Sequence, residues 1–252
     1  METVKNNLLF GLLGKNISYS FSKTYFSQKF EALDLKNYQY QNFDLPEITA
    51  LPGLLKQYEK QLKGFNVTTP YKVAVFDFLD EIDAVAKEVG AVNTVKIMSD
   101  GRLKGYNTDV YGFEMSLKPF LKSYHKKALV LGTGGASKAI AYVLKKHQIA
   151  ATFVSRNPSN ARELSYSEIN QKVLEEHLLI INCTPVGTHP NTAVCPALPY
   201  AAITKKHVLF DLIYNPSESR FLSKGKQQSA TVKNGLEMLA LQAEKAWEIW
   251  NL

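Results

Sequence analysis

The chain has 252 residues, of which 45% are apolar and 21% charged, as in an ordinary globular protein, and no apolar run reaches the roughly 18 residues of a transmembrane helix. Two cysteines, Cys183 and Cys195, give neither a disulfide framework nor a metal-ligand set, and the N-terminus lacks a signal-peptide pattern, so a reducing cytoplasm is expected. The net charge of +7 is spread over single and paired lysines without the basic stripe of a nucleic-acid-binding protein, and by itself it suits anionic small molecules as well as DNA.

The first hundred residues alternate short apolar strands with helical patterns. Strands are predicted at 8–13, 38–43 and 64–67, helices at 22–35, 51–61, 70–79 and 81–89, and a strand or hairpin over 91–106 that turns at Asp100-Gly101. Such an alternation predicts an α/β module.

The run from Gly64 to Lys72 predicts the end of a strand, a polar turn and the start of a helix. Thr69 suits the N-cap of that helix, and Pro70 suits its first position. Lys72 then lies in the first turn, where the helix dipole disfavours a cation by about 0.3–1 kcal/mol. A lysine at this place fits an acid/base group, and an exposed surface lysine fits the segment equally well.

A second module begins near Asp109 with a helix over 109–121. Strands separated by helical patterns follow at 127–131, 151–154, 178–181, 208–212 and 230–232, with a helix at 135–147, and this order predicts a parallel, doubly wound sheet. The final helix, 236–250, carries an apolar stripe, and Gln242 at its edge is either a surface residue or one that points into a cleft. The stripe consists of Leu236, Leu239, Ala240, Ala243, Trp247 and Trp250.

The strand at 127–131 runs into the glycine turn Gly132-Thr133-Gly134-Gly135-Ala136-Ser137. Gly132 permits the turn, Gly134 lets a pyrophosphate approach the backbone, and the following helix offers its N–H groups to the anion. The next strand ends in Ser155-Arg156-Asn157, without the acid that binds the ribose hydroxyl of NAD. Arg156, 24 positions after Gly132, can pair with a 2′-phosphate, which favours NADP over NAD; a solvated surface arginine is the alternative.

Three polar clusters remain. Ser20 and Ser22 alternate with aromatic residues, so an extended segment would place both on one side, where they could hold a carboxylate. Asn93 stands inside an apolar run, and Asp109 follows a strand and opens a helix. Each also has a purely structural explanation: a helix N-cap for Ser22, a turn residue for Asn93 and a helix-terminus acid for Asp109.

Taken together, these segments and several others resemble the sequences of the shikimate dehydrogenases, and the resemblance extends over nearly the whole chain. The resemblance implies two α/β domains: a substrate domain of residues 1–108, completed by 235–252, and a Rossmann-type NADP domain of residues 109–234 with a doubly wound parallel sheet. The C-terminal helix would return to the substrate domain, and the active site would lie in the cleft between the domains. The segments that carry the resemblance are Ser20–Ser22, Gly64–Lys72, Gly90–Thr94, Asn107–Asp109, Gly132–Ala136, Asn182–Gly187, Asp211–Pro216 and Asn234–Ala243.

The resemblance also implies the reaction and the site. The chain would be a cytoplasmic oxidoreductase that reduces 3-dehydroshikimate to shikimate with NADPH in aromatic amino-acid biosynthesis, with Lys72 and Asp109 as the catalytic pair and no metal. The substrate would bind to Ser20, Ser22, Thr68, Asn93, Asp109, Tyr214 and Gln242. NADP would bind to Gly132, Gly134, Gly135, Ala136, Ser155, Arg156, Asn157, Leu212 and Gly235.

Some positions depart from the family pattern. Lys23 and Phe26 replace the usual proline and histidine after the serines, Ser155 replaces an asparagine, and Asn160 stands where an arginine is often found, with Arg162 as a nearby substitute. Two alternatives stay open: a quinate/shikimate dehydrogenase with broader substrate or NAD use, and a catalytically silent NADP-binding protein. The expected partner is a small molecule, not nucleic acid or a membrane, and the expected assembly is a monomer or homodimer.

Overall fold

The computed structural model describes residues 7–17, 20–160 and 163–252. The chain divides into two compact units, which we call unit 1 and unit 2. Unit 1 comprises the residues up to Thr108 together with Ala243–Leu252, and unit 2 comprises Asp109–Gln242. The second boundary therefore falls inside the C-terminal helix, whereas the sequence prediction placed it at residue 235.

Unit 1 is built on one mixed sheet with the strand order β2-β1-β3-β5-β6-β4. β1 pairs in parallel with both β2 and β3, while β5 is antiparallel to β3 and β6. The strands are β1 (Leu8–Gly14), β2 (Tyr38–Asp44), β3 (Leu62–Val67), β4 (Glu81–Ile82), β5 (Thr94–Ile97) and β6 (Leu103–Tyr106). The helices are α1 (Phe21–Ala32), α2 (Leu51–Gln57), α3 (Tyr71–Ala74) and α4 (Ala84–Val89).

Apolar side chains cover both faces of this sheet, and they form two core clusters. One core cluster contains Leu13, Phe65 and Val95, each fully buried. The other is aromatic, with Phe10, Phe26 and Trp250 among its members. The end of the C-terminal helix thus belongs to the core of unit 1.

The helix that carries Lys72 starts later than the sequence predicted. Tyr71 N–H donates to the Thr68 carbonyl at 2.9 Å, so the chain is still turning at Thr69. Pro70 occupies the N-cap position, and α3 is followed at once by a 3-10 turn at Val75–Phe78. The prediction of Thr69 as the N-cap and Pro70 as the first helical residue was therefore wrong, although Lys72 does lie in the first turn.

Unit 2 contains a six-stranded, fully parallel sheet in the order β12-β11-β10-β7-β8-β9. If β7 to β12 are renumbered 1 to 6 and the sheet is followed from β9 to β12, the strand order is 3-2-1-4-5-6, as in a dinucleotide-binding sheet. This order confirms the predicted doubly wound fold. The strands are β7 (Lys127–Leu131), β8 (Ala150–Ser155), β9 (Glu163–Ser165), β10 (Leu179–Asn182), β11 (Val208–Asp211) and β12 (Thr231–Lys233). The helices are α5 (Asp109–Leu117), α6 (Gly135–Lys146), α7 (Gln171–Glu176) and α8 (Arg220–Gln227), followed by α9 (Leu236–Asn251), which continues into unit 1.

The buried face of α9 differs from the predicted stripe. Leu236 is 45% exposed, and Leu239, Ala240 and Trp247 are only partly buried. Apolar residues occur around more than one side of this helix, so periodicity alone left its orientation open and packing selected the face. The buried residues are Met238, Gln242, Ala243, Ala246, Ile249 and Trp250.

Within residues 7–17, 20–160 and 163–252, no helix combines the length and the hydropathy needed to cross a bilayer.

Candidate functional site

The two serines lie at the start of α1 in unit 1. Ser20 is the N-cap, and its hydroxyl accepts a hydrogen bond from the Lys23 N–H at 3.3 Å. Ser22 lies inside the first helical turn, so the expectation of an extended segment and of an N-cap at Ser22 was wrong. Both serines are buried, at 8% and 7% exposure. Phe26, one turn further along, is fully buried and stacks on Tyr40 with ring centroids 4.7 Å apart.

A buried hydrogen-bond network surrounds Asn93. Its Oδ1 accepts from the Thr108 N–H at 2.7 Å, and its Nδ2 donates to Thr108 Oγ1 at 3.0 Å. Thr94 Oγ1 donates to the same Oδ1 at 3.1 Å and accepts from Asn66 Nδ2 at 3.0 Å. Asn66 Oδ1 in turn accepts from the Tyr40 hydroxyl at 2.8 Å. Buried polar groups paired in this way hold one another in fixed positions, here directly before Asp109.

Backbone hydrogen bonds bring the segments of Thr68, Lys72 and Asn93 together in unit 1. The Lys72 carbonyl accepts from Val92 N–H at 2.8 Å, and the Asn93 carbonyl accepts from Val67 N–H at 2.8 Å. Thr68 N–H donates to the Leu13 carbonyl at 2.8 Å. The end of β3 and the turn after it are therefore hydrogen-bonded to β1 on one side and to the Val92–Asn93 segment on the other. Lys72, which follows this turn, is partly exposed.

Unit 2 carries the other three residues that the resemblance assigned to the substrate. Asp109 is the first residue of α5 and is 6% exposed. Gln242 is also 6% exposed, and its Nε2 donates to the Leu239 carbonyl at 2.9 Å. Tyr214 is half-buried in the segment after β11. Buried polar residues are the informative exceptions in a fold, and Asp109 and Gln242 are two of them.

The glycine turn has the geometry of an anion site. Gly132 has φ +100°, a conformation that other residues rarely adopt, and its N–H donates to the Val154 carbonyl at 2.8 Å. Gly134 is the N-cap of α6, and a side chain there would meet nothing within 4 Å. Ser137 is buried and donates to the Gly134 carbonyl at 2.6 Å. The first-turn N–H groups of Gly135 and Ala136 thus face the open approach that a pyrophosphate requires.

The end of β8 presents a cation at the surface. Asn157 N–H donates to Ser155 Oγ at 3.3 Å, which closes a tight turn with the exposed Arg156 at its tip. The sequence reasoning missed Glu163, which accepts from the Ser159 N–H and hydroxyl and from Asn160 Nδ2 at 2.9–3.0 Å. Arg162, the expected substitute for the missing family arginine, lies outside the described residues.

Leu212 and Gly235 are direct neighbours in unit 2. A side chain on Gly235 would begin 2.1 Å from the Leu212 carbonyl oxygen, so only glycine fits. Gly235 N–H also donates to the Ile213 carbonyl at 3.0 Å. These two residues, which the resemblance assigned to NADP and would place at its nicotinamide end, therefore adjoin each other through their backbones.

A fully buried carboxylate at the end of β11, Asp211, was not predicted as a functional group. It accepts from Asn182 Nδ2 at 3.0 Å, from the Ile213 N–H at 3.1 Å and from the Ser219 hydroxyl. Burial raises the pKa of Asp211 to about 6, although these three hydrogen bonds act to lower it. Parallel pairing of β10 and β11 places Asn182 directly opposite Asp211, a contact that only the sheet register could have revealed.

Known proteins match this chain over nearly its full length. The family model described as "Shikimate dehydrogenase substrate binding domain" matches residues 12–95. A shikimate dehydrogenase (NADP(+)) from Methanococcus maripaludis (strain C7) is 38% identical over 99% of this chain and 93% of its own length.

Two solved structures are similar as well. That of shikimate 5-dehydrogenase from Thermus thermophilus, in complex with NADP(H) and shikimate, has a TM-score of 0.83 and 33% identity, and covers 96% of this chain and 93% of its own. Quinate dehydrogenase from Corynebacterium glutamicum, in complex with NAD, has a TM-score of 0.86 and 26% identity, and covers 97% of this chain and 94% of its own.

Proposed function

This chain belongs to the shikimate dehydrogenase family, and we propose that it catalyses the reversible, NADP-dependent reduction of 3-dehydroshikimate to shikimate in aromatic amino-acid biosynthesis. The observation that carries the proposal is the near-full-length similarity to an enzyme of known structure whose crystals hold NADP(H) and shikimate. We assign the cofactor to unit 2 and the substrate to residues of unit 1 together with Asp109, Tyr214 and Gln242 of unit 2, with cytoplasmic location and a small-molecule substrate as in the sequence prediction.

The buried serines at the start of α1 are proposed to bind the substrate carboxylate. Ser20 and Ser22 offer hydroxyl donors close to a helix N-terminus, where negative charge is favoured. Thr68 is assigned to the same carboxylate, and the rigidly held Asn93 is assigned to the ring hydroxyls, together with Asp109, Tyr214 and Gln242. The hydrogen bonds that fix Asn93 let it orient a ring hydroxyl at little cost in ordering the protein.

Lys72 is proposed to handle the proton, with Asp109 as the second catalytic residue. When bound, NADPH supplies a hydride to the carbonyl carbon of the ring ketone. Negative charge then develops on the carbonyl oxygen, and the Lys72 ammonium stabilises that charge and donates a proton to it. In the reverse direction, neutral Lys72 accepts the proton from the hydroxyl group.

Arg156 is proposed to select NADP. Replacing it with glutamine removes the only cation in the Ser155-Arg156-Asn157 turn that can pair with a 2′-phosphate. We expect the KM for NADP to rise about tenfold or more, the size of a lost charged hydrogen bond, while the KM for NAD stays within twofold. Steady-state kinetics with both cofactors measures this.

The matched control for this prediction is Arg102→Gln. Arg102 is an exposed arginine of unit 1 whose ion pairs with Glu81 and Asp100 serve no cofactor role. Its replacement should leave both KM values unchanged. An Arg156→Gln enzyme that keeps its full preference for NADP contradicts the assignment.

The reaction itself is tested by following the absorbance of the reduced cofactor with shikimate and with quinate, each with NADP and with NAD. Turnover of shikimate with NADP, well above the other three combinations, is the expected result. The similarity to a quinate dehydrogenase that binds NAD gives the second candidate, and faster turnover of quinate or with NAD would favour it. No turnover in any combination would favour a catalytically silent NADP-binding protein.

A further inference from the structure

Resting on the proposed function, we propose that Asp211 is a positioning residue that holds the loop of residues 212–214 in place for the nicotinamide half of the cofactor. Asp211 touches neither substrate nor cofactor in this proposal. It acts through the backbone and side chains that it fixes, all of them within unit 2.

The position of Asp211 requires a reason beyond folding. It ends a strand whose other residues, 208–210, are apolar and buried, and it is itself 0% exposed. Desolvation disfavours a buried carboxylate, hydrogen-bond donors only offset that cost, and an apolar side chain of similar volume is often at least as stabilising. The proton transfer assigned above does not use this group.

The three donors to Asp211 come from three different segments. Asn182 ends β10, Ile213 lies in the loop after β11, and Ser219 is the N-cap of α8. The carboxylate therefore ties the loop to a neighbouring strand on one side and to a helix on the other. A carboxylate can accept all three hydrogen bonds at once, which a hydroxyl or an apolar group cannot do.

Asn182 extends the network to a second loop. Its carbonyl accepts from Leu212 N–H at 3.0 Å, and its Oδ1 accepts from the Thr184 N–H at 3.1 Å and hydroxyl at 2.6 Å. The Thr184 methyl group lies 3.0 Å from where a side chain on Gly132 would begin. The network thus reaches from the glycine turn to the Leu212 carbonyl that faces Gly235.

Because the two ends of the network serve different parts of the cofactor, the proposal predicts a selective defect. Loosening Asp211 should free the 212–214 loop, while the glycine turn keeps its own hydrogen bond from Gly132 to Val154. Binding of the nicotinamide half should suffer and binding of the adenosine half should not. Loss of overall stability, by contrast, would weaken both.

The test measures dissociation constants by calorimetry for NADP and for 2′,5′-ADP, which lacks the nicotinamide half. We expect Asp211→Ala to weaken NADP binding about tenfold or more, because the 212–214 loop loses the carboxylate that three donors share, and to leave 2′,5′-ADP within twofold. Asp211→Asn is expected to restore NADP binding, because an amide can accept from Asn182 and Ile213 and donate to the Ser219 oxygen.

Thr152→Val is the matched control. Thr152 forms a hydrogen bond with His177 in the same unit at 3.0 Å, away from both loops. It should leave both dissociation constants unchanged. Should Asp211→Ala fail to fold, Ser219→Ala removes one donor only and carries the same comparison, with a smaller but still selective loss expected.

Equal weakening of NADP and 2′,5′-ADP, or no change in either, overturns the positioning role. Failure of the proposed function has a different signature, since the wild-type chain would then bind NADP without turning over shikimate. In that case the role of Asp211 is still decided by comparing wild type with Asp211→Ala in the ratio of the dissociation constants for NADP and 2′,5′-ADP.

Discussion

Lys72→Ala is expected to lower kcat for shikimate oxidation by about two to four orders of magnitude, the range of a lost general acid or base. The dissociation constant of NADP should stay within twofold, because Lys72 lies in unit 1 and the proposed cofactor site lies in unit 2. Stopped-flow or steady-state absorbance of the cofactor measures the rate, and calorimetry measures the binding.

A second substitution separates charge from proton transfer. Lys72→Arg keeps a cation in the first turn of α3, but a guanidinium does not give up its proton at neutral pH. Its oxidation rate should therefore remain nearly as low as that of Lys72→Ala. Lys87→Ala, an exposed lysine in the last turn of α4, is the matched control and should be fully active. A Lys72→Ala enzyme with kcat within tenfold of wild type would refute the assignment.

The sequence predicted the features of the molecule that depend on local pattern. The parallel sheet of unit 2 and the turn at Gly132 follow from apolar runs, helical periodicity and glycine conformation, all of which act over a few residues. β4 and β9, of two and three residues, were missed because neither segment shows a period, whereas β12, also three residues long, overlaps the strand predicted at 230–232. The described residues between β8 and β9, 156–160, also contain no helix, in contrast to the usual crossover between parallel strands.

Features that depend on tertiary packing could not be predicted in the same way. Ser22 lies within α1 because Ser20 is the N-cap residue of that helix. Nothing in the alternation of serine and aromatic residues shows which of the two serines is the N-cap. The pairing of Asn182 with Asp211 spans 29 positions and requires the register of two adjacent strands. The family resemblance supplied residues with recognised roles, but it gave no reason to examine a buried acid that holds a loop.

The packing of Trp250 in unit 1 is expected to be the largest single-residue contribution to stability that we test. Its ring lies 4.9 Å from that of Phe10 and 5.3 Å from that of Phe26, and its Nε1–H donates to the Val95 carbonyl at 3.0 Å. Trp250→Ala removes all of these contacts at 8% exposure, so we expect the free energy of unfolding to fall by about 3–5 kcal/mol.

Trp250→Phe tests whether packing or the hydrogen bond carries this stabilisation. Phenylalanine keeps most of the aromatic contact and leaves the Val95 carbonyl without its indole donor, so a loss of about 1–3 kcal/mol is expected. Trp247→Phe, in the same helix but only partly buried, should cost less than either. Urea denaturation followed by far-UV circular dichroism measures all three, because the signal does not depend on the tryptophan removed. If Trp250→Ala cost no more than Trp247→Phe, the terminal helix would not be part of the core of unit 1, and the burial of Trp250 would have to be rejected.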